Sequence, residues 1–289
     1  MNATILLDHD ALDPTPRTSS RHRVRLLFRV TGEPPDPDEG APLNLSLVLD
    51  RSGSMAGEKL EAVQDAAVSL VRRLRPTDVV SVVSYDGTVR TVAEPGSITD
   101  PEAAAEQSDL VRRVRSIVAG GTTNLSGGWL RGRELVERGL RDDGVHRILF
   151  LTDGLANREI TDPESLRGLC RKAAADGITT TTIGFGEGYN EHLLRAMADA
   201  GGGNTWYIER PDQTGDVFGE ELEGLLGIAV QNLTLEIRPR AAELTVVHHS
   251  YPGTAVDGGV RLEIGDLYAR EPRDVLVEFS LTVPESGGG

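Results

Sequence analysis

The order of apolar and polar side chains along the chain predicts its elements before any other property is considered. Val24, Leu26, Phe28 and Val30 interleave with Arg23, Arg25, Leu27 and Arg29, the period-two signature of a strand with one face buried. Residues Gly32 to Pro42 then carry four prolines among acidic side chains. Proline lacks a backbone donor and fixes its own torsion, so this stretch predicts a linker or exposed loop. From Leu43 the pattern changes. The run Leu43 to Leu49 is almost continuously apolar and ends at Asp50, as suits a strand covered on both faces. Leu60, Val63, Ala67, Leu70, Val71 and Leu74 recur at helical spacing, Pro76 closes that helix, and Val79 to Tyr85 is apolar again.

The alternation continues. Asp86-Gly87 is a two-residue turn signal, so Thr88 to Ala93 should return antiparallel as an edge strand. A helix is expected around Glu102 to Val118, then a glycine-rich loop from Gly120 to Gly128 and a helix to about Leu140. Strand Arg147 to Thr152, helix Pro163 to Asp176, strand Ile178 to Gly184, helix Glu191 to Ala200, strand Asn204 to Ile208 and a helix around Val217 to Ile228 complete the series. Such a series predicts an α/β fold: a doubly wound, mostly parallel sheet flanked by helices. After about Val230 only strands remain, at Leu233 to Ile237, Leu244 to His248, Val260 to Ile264 and Val275 to Val283. About 60 residues make a marginal β-sandwich alone, and the first strand also lacks a partner. Both chain ends are therefore expected to form one smaller β-sandwich. The expected organisation is residues 1–35 and 229–285 in the sandwich, with the α/β domain at 43–228.

Composition narrows the function. The formal charge is −15, and Lys and Arg are dispersed, which argues against nucleic acid and against an anionic membrane surface as partners. No apolar run approaches the roughly 20 residues of a spanning helix, and the N-terminus lacks a secretory signal, so the expected compartment is the cytoplasm. The single cysteine, Cys170, sits in a helical pattern with nothing to activate it, which reads as a buried structural thiol.

Ligands of open α/β sheets bind beyond the carboxyl ends of the strands. Three segments should meet there: Asp50-Arg51-Ser52-Gly53-Ser54, Thr122-Thr123-Asn124 and Thr152-Asp153-Gly154. The first puts a carboxylate and two hydroxyls in one turn, with Gly53 permitting the bend. With Thr123 and Asp153 there are five oxygen donors and no sulfur or imidazole. Hard donors of that kind select Mg²⁺, Mn²⁺ or Ca²⁺ over zinc or copper, and Mg²⁺, which prefers a near-octahedral shell, is the abundant intracellular candidate.

In these residues the chain resembles the von Willebrand factor A family, whose metal-ion-dependent adhesion site has the form Asp-x-Ser-x-Ser with a distant Thr and a distant Asp. The resemblance covers about residues 43 to 228, and the whole chain looks similar to bacterial members with a β-rich C-terminal extension. It implies a Rossmann-like fold and metal ligands Asp50, Ser52, Ser54, Thr123 and Asp153. Thr123 is preferred to Thr122 because the family's Thr commonly precedes Asn. The resemblance further implies a partner protein that offers an Asp or Glu carboxylate to the cation. ATPase chaperones and signalling proteins are the partners associated with bacterial relatives. Tyr85, Asp86, Asn124, Leu155 and Asn157 should stand on the same rim, as the surface the partner meets.

Each feature alone has an ordinary explanation. Asp50, Ser52 and Ser54 could form an Asx-type turn, Thr123 and Asn124 could cap the next helix, and Asp153-Gly154 could be a plain turn. Trp129 and Trp206 fit core positions, and His248 and His249 face opposite sides of a strand. The rival class is a metal-dependent hydrolase or phosphoryl-transfer enzyme using the same cation. Against it, the chain has no Gly-x-x-x-x-Gly-Lys-Ser/Thr loop, no Gly-x-Ser-x-Gly elbow and no evident general base.

Overall fold

The computed structural model describes residues 2–7, 20–33, 40–97, 109–154, 162–239, 243–248 and 251–283. The chain divides into two compact units, Ala41–Leu226 and the two chain ends, Met1–Gly40 with Gly227–Gly289. Strands β1 (Asn2–Leu7) and β2 (Ser20–Thr31) belong to the second of these and precede the larger unit in sequence.

The larger unit is built on strands β3 (Leu43–Asp50), β4 (Val79–Tyr85), β5 (Val89–Ser97), β6 (Val145–Thr152), β7 (Ile178–Phe185) and β8 (Gly202–Ile208). They form one sheet in the order β5-β4-β3-β6-β7-β8, parallel throughout except for β5. Helices α1 (Glu58–Arg73), α2 (Asp109–Arg115), α3 (Leu125–Glu137), α4 (Pro163–Ala175), α5 (Glu191–Gly201) and α6 (Thr214–Leu226) connect and flank them. β3, β6 and β7 are buried at every position, which is why their sequences are mostly apolar and β-branched, with buried polar exceptions such as Asn44, Ser46, His146 and Arg147. Each helix buries one stripe. In α1 the stripe includes Leu60, Val63, Ala67, Leu70 and Val71, the positions its periodicity marks.

Starts and stops follow local chemistry. Asn124, Asp162 and Asn190 cap α3, α4 and α5, each accepting a backbone N–H from the residue three further on. α5 ends at Gly202, whose φ of 66° suits a residue without Cβ. Of the helix expected over residues 102–118, the part up to residue 108 lies outside the described residues, and α2 occupies Asp109–Arg115.

At the end of α6 the structure departs from the periodicity. Ile228 and Val230 are already in strand β9 (Ile228–Ile237), paired with Tyr268 and Leu267. Their apolar side chains extend the helical pattern, but β-branched residues fit a ladder as well, and the ladder prevails. β10 (Glu243–His248), β11 (Gly253–Val256), β12 (Gly259–Tyr268) and β13 (Pro272–Val283) follow. The terminal unit holds two antiparallel sheets, β1-β2-β13-β10 and β11-β12-β9. They share an apolar cluster that includes Ile237, Leu262, Val275, Val277 and Phe279, with Leu26 and Phe28 packed against it. β2 and β13 pair over twelve residues, from Ser20↔Val283 to Thr31↔Pro272, so the two ends of the chain complete one sheet.

Candidate functional site

β3 stands between β4 and β6, and the chain winds outward from it in both directions. In open α/β sheets ligands bind at such a reversal, beyond the carboxyl ends of the strands, which here are those of β3 and β6. Asp50 is the last residue of β3, Thr152 the last of β6, and Asp153 follows it.

Asp50 is fully buried. Its Oδ1 accepts the Ser52 N–H at 2.7 Å, which folds Asp50-Arg51-Ser52 into a tight turn, and its Oδ2 accepts the Thr152 hydroxyl at 2.7 Å. The Ser52 and Ser54 hydroxyls lie 3.2 Å apart, and Ser54 Oγ donates to Asp153 Oδ1 at 2.6 Å. Asp153 is also buried, and its second oxygen accepts the Lys59 ammonium at 2.7 Å. Thr123 is buried beside them. A Cβ built on Gly154 would stand 3.3 Å from Thr123 Oγ1, so the glycine after Asp153 leaves room for that hydroxyl.

The glycine-rich loop is sewn to the first turn through backbone groups. Gly53 N–H donates to Gly121 O at 3.0 Å, and Gly120 N–H to Arg51 O at 2.7 Å. Arg51 reaches outward to the Val118 carbonyl at 3.0 Å and to Asp86 Oδ2 at 2.9 Å. Asp86 in turn accepts the Gly121 N–H, the Thr88 N–H and the Thr88 hydroxyl, and its own carbonyl accepts the Asn124 N–H. Gly120 lies so close to Asp86 that a Cβ there would overlap its carboxylate, at 1.9 Å.

Electrostatics mark the cluster as short of positive charge. Burial pushes the Asp50 carboxyl above the usual carboxylate range, the hydrogen bonds from Thr152 and Ser52 oppose that, and neighbouring Asp153 adds to it. For Asp86 burial also acts upward, but the Thr88 and Gly121 donors together with Arg51 prevail and hold it below the usual range. The donors of the first cluster are two carboxylates and three hydroxyls, all oxygen, a set that could hold a hard divalent cation. One positive charge, the Lys59 ammonium, is already drawn to it. Among the described residues no group of three or more His, Cys, Asp or Glu side chains is placed to hold a metal.

The expected rim residues fare differently. Tyr85 is no rim residue: it is fully buried, stacks on Phe150 at 5.4 Å between ring centroids and donates its hydroxyl to Leu151 O at 3.0 Å. It shares the inward face of β4 with Val83, and α3 covers that face. Asp86 is 7% exposed and its carboxylate is engaged in bracing the loops, so it too is withdrawn from the surface. Asn124 is half-buried, with its side-chain oxygen turned inward to cap Gly127 N–H at 2.9 Å. Leu155 and Asn157 lie outside the described residues. The structure exposes Val118 instead, 66% accessible, on the loop whose carbonyl Arg51 holds.

Trp129 is fully buried with its N–H on Thr180 Oγ1, and half-buried Trp206 donates to Glu221. Cys170 is buried, its thiol pushed up to about 12 by burial, as an inert core group should be. The His248 side chain and residue His249 lie outside what the structure describes. Thr152 and Lys59 escape a reading of the sequence. Thr152 was only a strand end and Lys59 only a helix residue, and each acquires its role by meeting a carboxylate about a hundred positions away.

Comparison with known proteins agrees with this architecture. A family model described as the von Willebrand factor type A domain matches residues 44–220. The uncharacterized protein sll0103 of Synechocystis is 32% identical over 243 residues, covering 83% of this chain and 55% of that protein. The chain spans about half the length of that curated relative. Among solved structures, a von Willebrand factor type A protein from Catenulispora acidiphila superposes with a TM-score of 0.72 at 19% identity, covering 96% of this chain and 65% of its own. Proximal thread matrix protein 1 of the mussel byssus, solved with a zinc-occupied MIDAS motif, has a TM-score of 0.53 at 17% identity, covering 74% of this chain and 52% of that one. At these identities the two structures speak for the fold. No helix among the described residues is long and apolar enough to cross a membrane.

Proposed function

We propose, for a chain that belongs to the von Willebrand factor type A domain family, that its work is divalent-cation-dependent capture of an acidic side chain on a partner protein. The observation that carries the reading is the hydrogen-bonded meeting of Asp50, Ser52, Ser54 and Asp153, with the Thr123 hydroxyl beside Gly154. Asp50, Ser52, Ser54, Thr123 and Asp153 would hold the ion, Mg²⁺ first and Mn²⁺ or Ca²⁺ by the same hard-donor chemistry. When bound, the cation supplies a Lewis-acidic position that takes a carboxylate oxygen from outside.

The chain's own residues prepare that position. Ser52 N–H and the Thr152 hydroxyl fix the two oxygens of Asp50, which keeps a buried carboxylate oriented before any ion arrives. Three of the five donors are neutral hydroxyls, so the protein brings two carboxylate charges and no more to the cation, which can still take an outside oxygen. The mussel protein with zinc in its MIDAS motif supports a metal at this kind of site and leaves the choice of ion to the donors. A partner of the ATPase chaperone or signalling class, in the cytoplasm, fits an acidic chain with one inert cysteine.

The test is a pull-down in Mg²⁺ repeated with chelator, using the wild-type chain and Ser52→Ala. Capture that needs Mg²⁺ and is lost in Ser52→Ala supports the reading, and chelator-insensitive capture rejects it. Metal-dependent turnover of phosphoesters, absent from Asp50→Ala, would replace it with the hydrolase reading.

A further inference from the structure

Lys59 is the second residue of α1 and carries no family ligand role in the site described above, yet its ammonium sits 2.7 Å from Asp153 Oδ2. Asp153 is thereby divided: Oδ1 faces Ser54 and the hydroxyl cluster, and Oδ2 faces Lys59. The ammonium is held in place from two further sides. It lies over the Phe185 ring, 5.4 Å from the centroid, where the negative face of the ring attracts it. Gly186, at φ 73°, leaves it space, since a Cβ there would be 3.3 Å from Nζ. Lys59 itself remains one-third accessible while Asp153 is buried, so the pair is a tethered cation inserted from the surface against an interior carboxylate.

We propose that Lys59 is a resident internal cation, a positioning residue that sets how tightly the site holds its metal. This rests on the metal-binding reading of the site. Without Lys59 the cluster would present two carboxylates, Asp50 and Asp153, to the ion. With it, one carboxylate is already neutralised, and the cluster presents a single net negative charge. Three consequences follow. Before a cation arrives, Lys59 keeps Asp153 turned toward Ser54 and limits repulsion between the two carboxylates. A divalent ion is then bound less tightly than the donors alone would allow, because the ammonium repels it across the shared carboxylate. The loaded site is left with a net positive charge, which favours an acidic ligand over a neutral one. Lys59 thus exchanges cation affinity for demand on an anion.

The experiment is calorimetric titration of Mg²⁺ into the full chain, alongside melting in the absence of divalent cation. Lys59→Met, which keeps an apolar stem against Phe185, and Lys59→Gln should each bind Mg²⁺ on the order of tenfold more tightly than wild type. Their cation-free melting temperatures should fall, and Lys59→Arg, which keeps the charge, should stay near wild type in both readouts. A residue that merely shaped the fold would weaken Mg²⁺ binding when removed, so equal or weaker affinity in the Met and Gln variants overturns the proposal. If the wild-type chain shows no saturable Mg²⁺ binding that Asp50→Ala removes, the metal reading itself fails and this inference falls with it. If wild type binds and the Lys59 variants match it, only this inference fails.

Discussion

Arg51 and Asp86 form an ion pair at 2.9 Å, with side chains only 6% and 11% exposed, that joins the turn after β3 to the turn between β4 and β5. Neither side chain could be buried alone. Asp86 has two backbone N–H donors and a hydroxyl besides Arg51, and Arg51 also holds the Val118 carbonyl, so the pair is knitted into three loops. Removing one partner leaves the other charge buried and uncompensated. Asp86→Ala should therefore cost about 3–5 kcal/mol in chemical denaturation. A loss under about 1 kcal/mol would show that the loops hold together without the pair.

The same residue gives the chain a pH signature. The Asp86 carboxyl is held below its ordinary range in the folded state, so the folded protein binds this proton less readily than the unfolded chain does. Its contribution is complete above the unfolded value, about 3.9, and is lost as pH falls through the lower folded value. The stability gap between wild type and Asp86→Asn should be wide at pH 7 and narrow below about pH 4. Urea melts of both proteins at the two pH values measure it, and a pH-independent gap would contradict the assignment.

Two glycines should respond oppositely to alanine. On α3, a Cβ at Gly128 would stand 2.6 Å from the Tyr85 ring, so Gly128→Ala must push the helix off β4 at a cost of about 1–3 kcal/mol. On α4, nothing lies within 4 Å of such a Cβ at Gly168. There alanine only improves helix propensity, and Gly168→Ala should raise stability by up to about 1 kcal/mol. Thermal melts of the two variants check both signs.

The Gly128–Tyr85 contact also explains what a reader of the sequence sees and misses. Strand and helix order follows from periodicity, because each buried face repeats at the spacing of its own element. β7 is legible even as Ile-Thr-Thr-Thr-Thr-Ile-Gly-Phe, since β-branched residues favour strands whatever their polarity. Its buried threonines become acceptable only through distant partners, such as Leu194 O for Thr182 and Glu221 for Thr181. Tyr85 ends a strand next to a turn, which suggests a rim, and only the glycine at position 128 turns it into core. β1 is hidden for another reason: Ile5 and Leu6 are largely exposed, so no buried face imprints a period on Asn2–Leu7. For the candidate site, the motif residues are legible in the sequence, the distant Thr123 and Asp153 included, whereas Thr152 and Lys59 are no part of the ligand motif and act on carboxylates 102 and 94 positions away.

Glu221 fastens α6 to the sheet. This buried carboxylate accepts Thr181 Oγ1 at 2.6 Å, Asn204 Nδ2 at 2.9 Å and Trp206 Nε1 at 2.7 Å, so its two oxygens serve three donors on β7 and β8. Glu221→Gln turns one acceptor into a donor facing donors and should cost about 1–3 kcal/mol. Tryptophan emission should shift as the Trp206 bond breaks, and the shift should vanish in a Trp206→Phe background. A stable variant with unchanged emission would mean that α6 is held by apolar packing alone.

Thr152 offers the sharpest test of how Asp50 is prepared. Its hydroxyl donates to Asp50 Oδ2 at 2.7 Å and accepts the Gly154 N–H at 3.2 Å, linking the first carboxylate to the turn that carries the second. A hydrogen bond to a charged group contributes about 1.5–3 kcal/mol, equivalent to about tenfold or more in an equilibrium constant. Thr152→Val removes the hydroxyl at nearly constant shape. Asp50 then loses the donor that fixes Oδ2, and the strand end loses its hold on Gly154. The Mg²⁺ concentration needed for half of the thermal stabilisation should rise about tenfold in Thr152→Val and return toward wild type in Thr152→Ser. If the valine variant titrates like wild type while Asp50→Ala shows no stabilisation, Asp50 acts on the ion without help from β6.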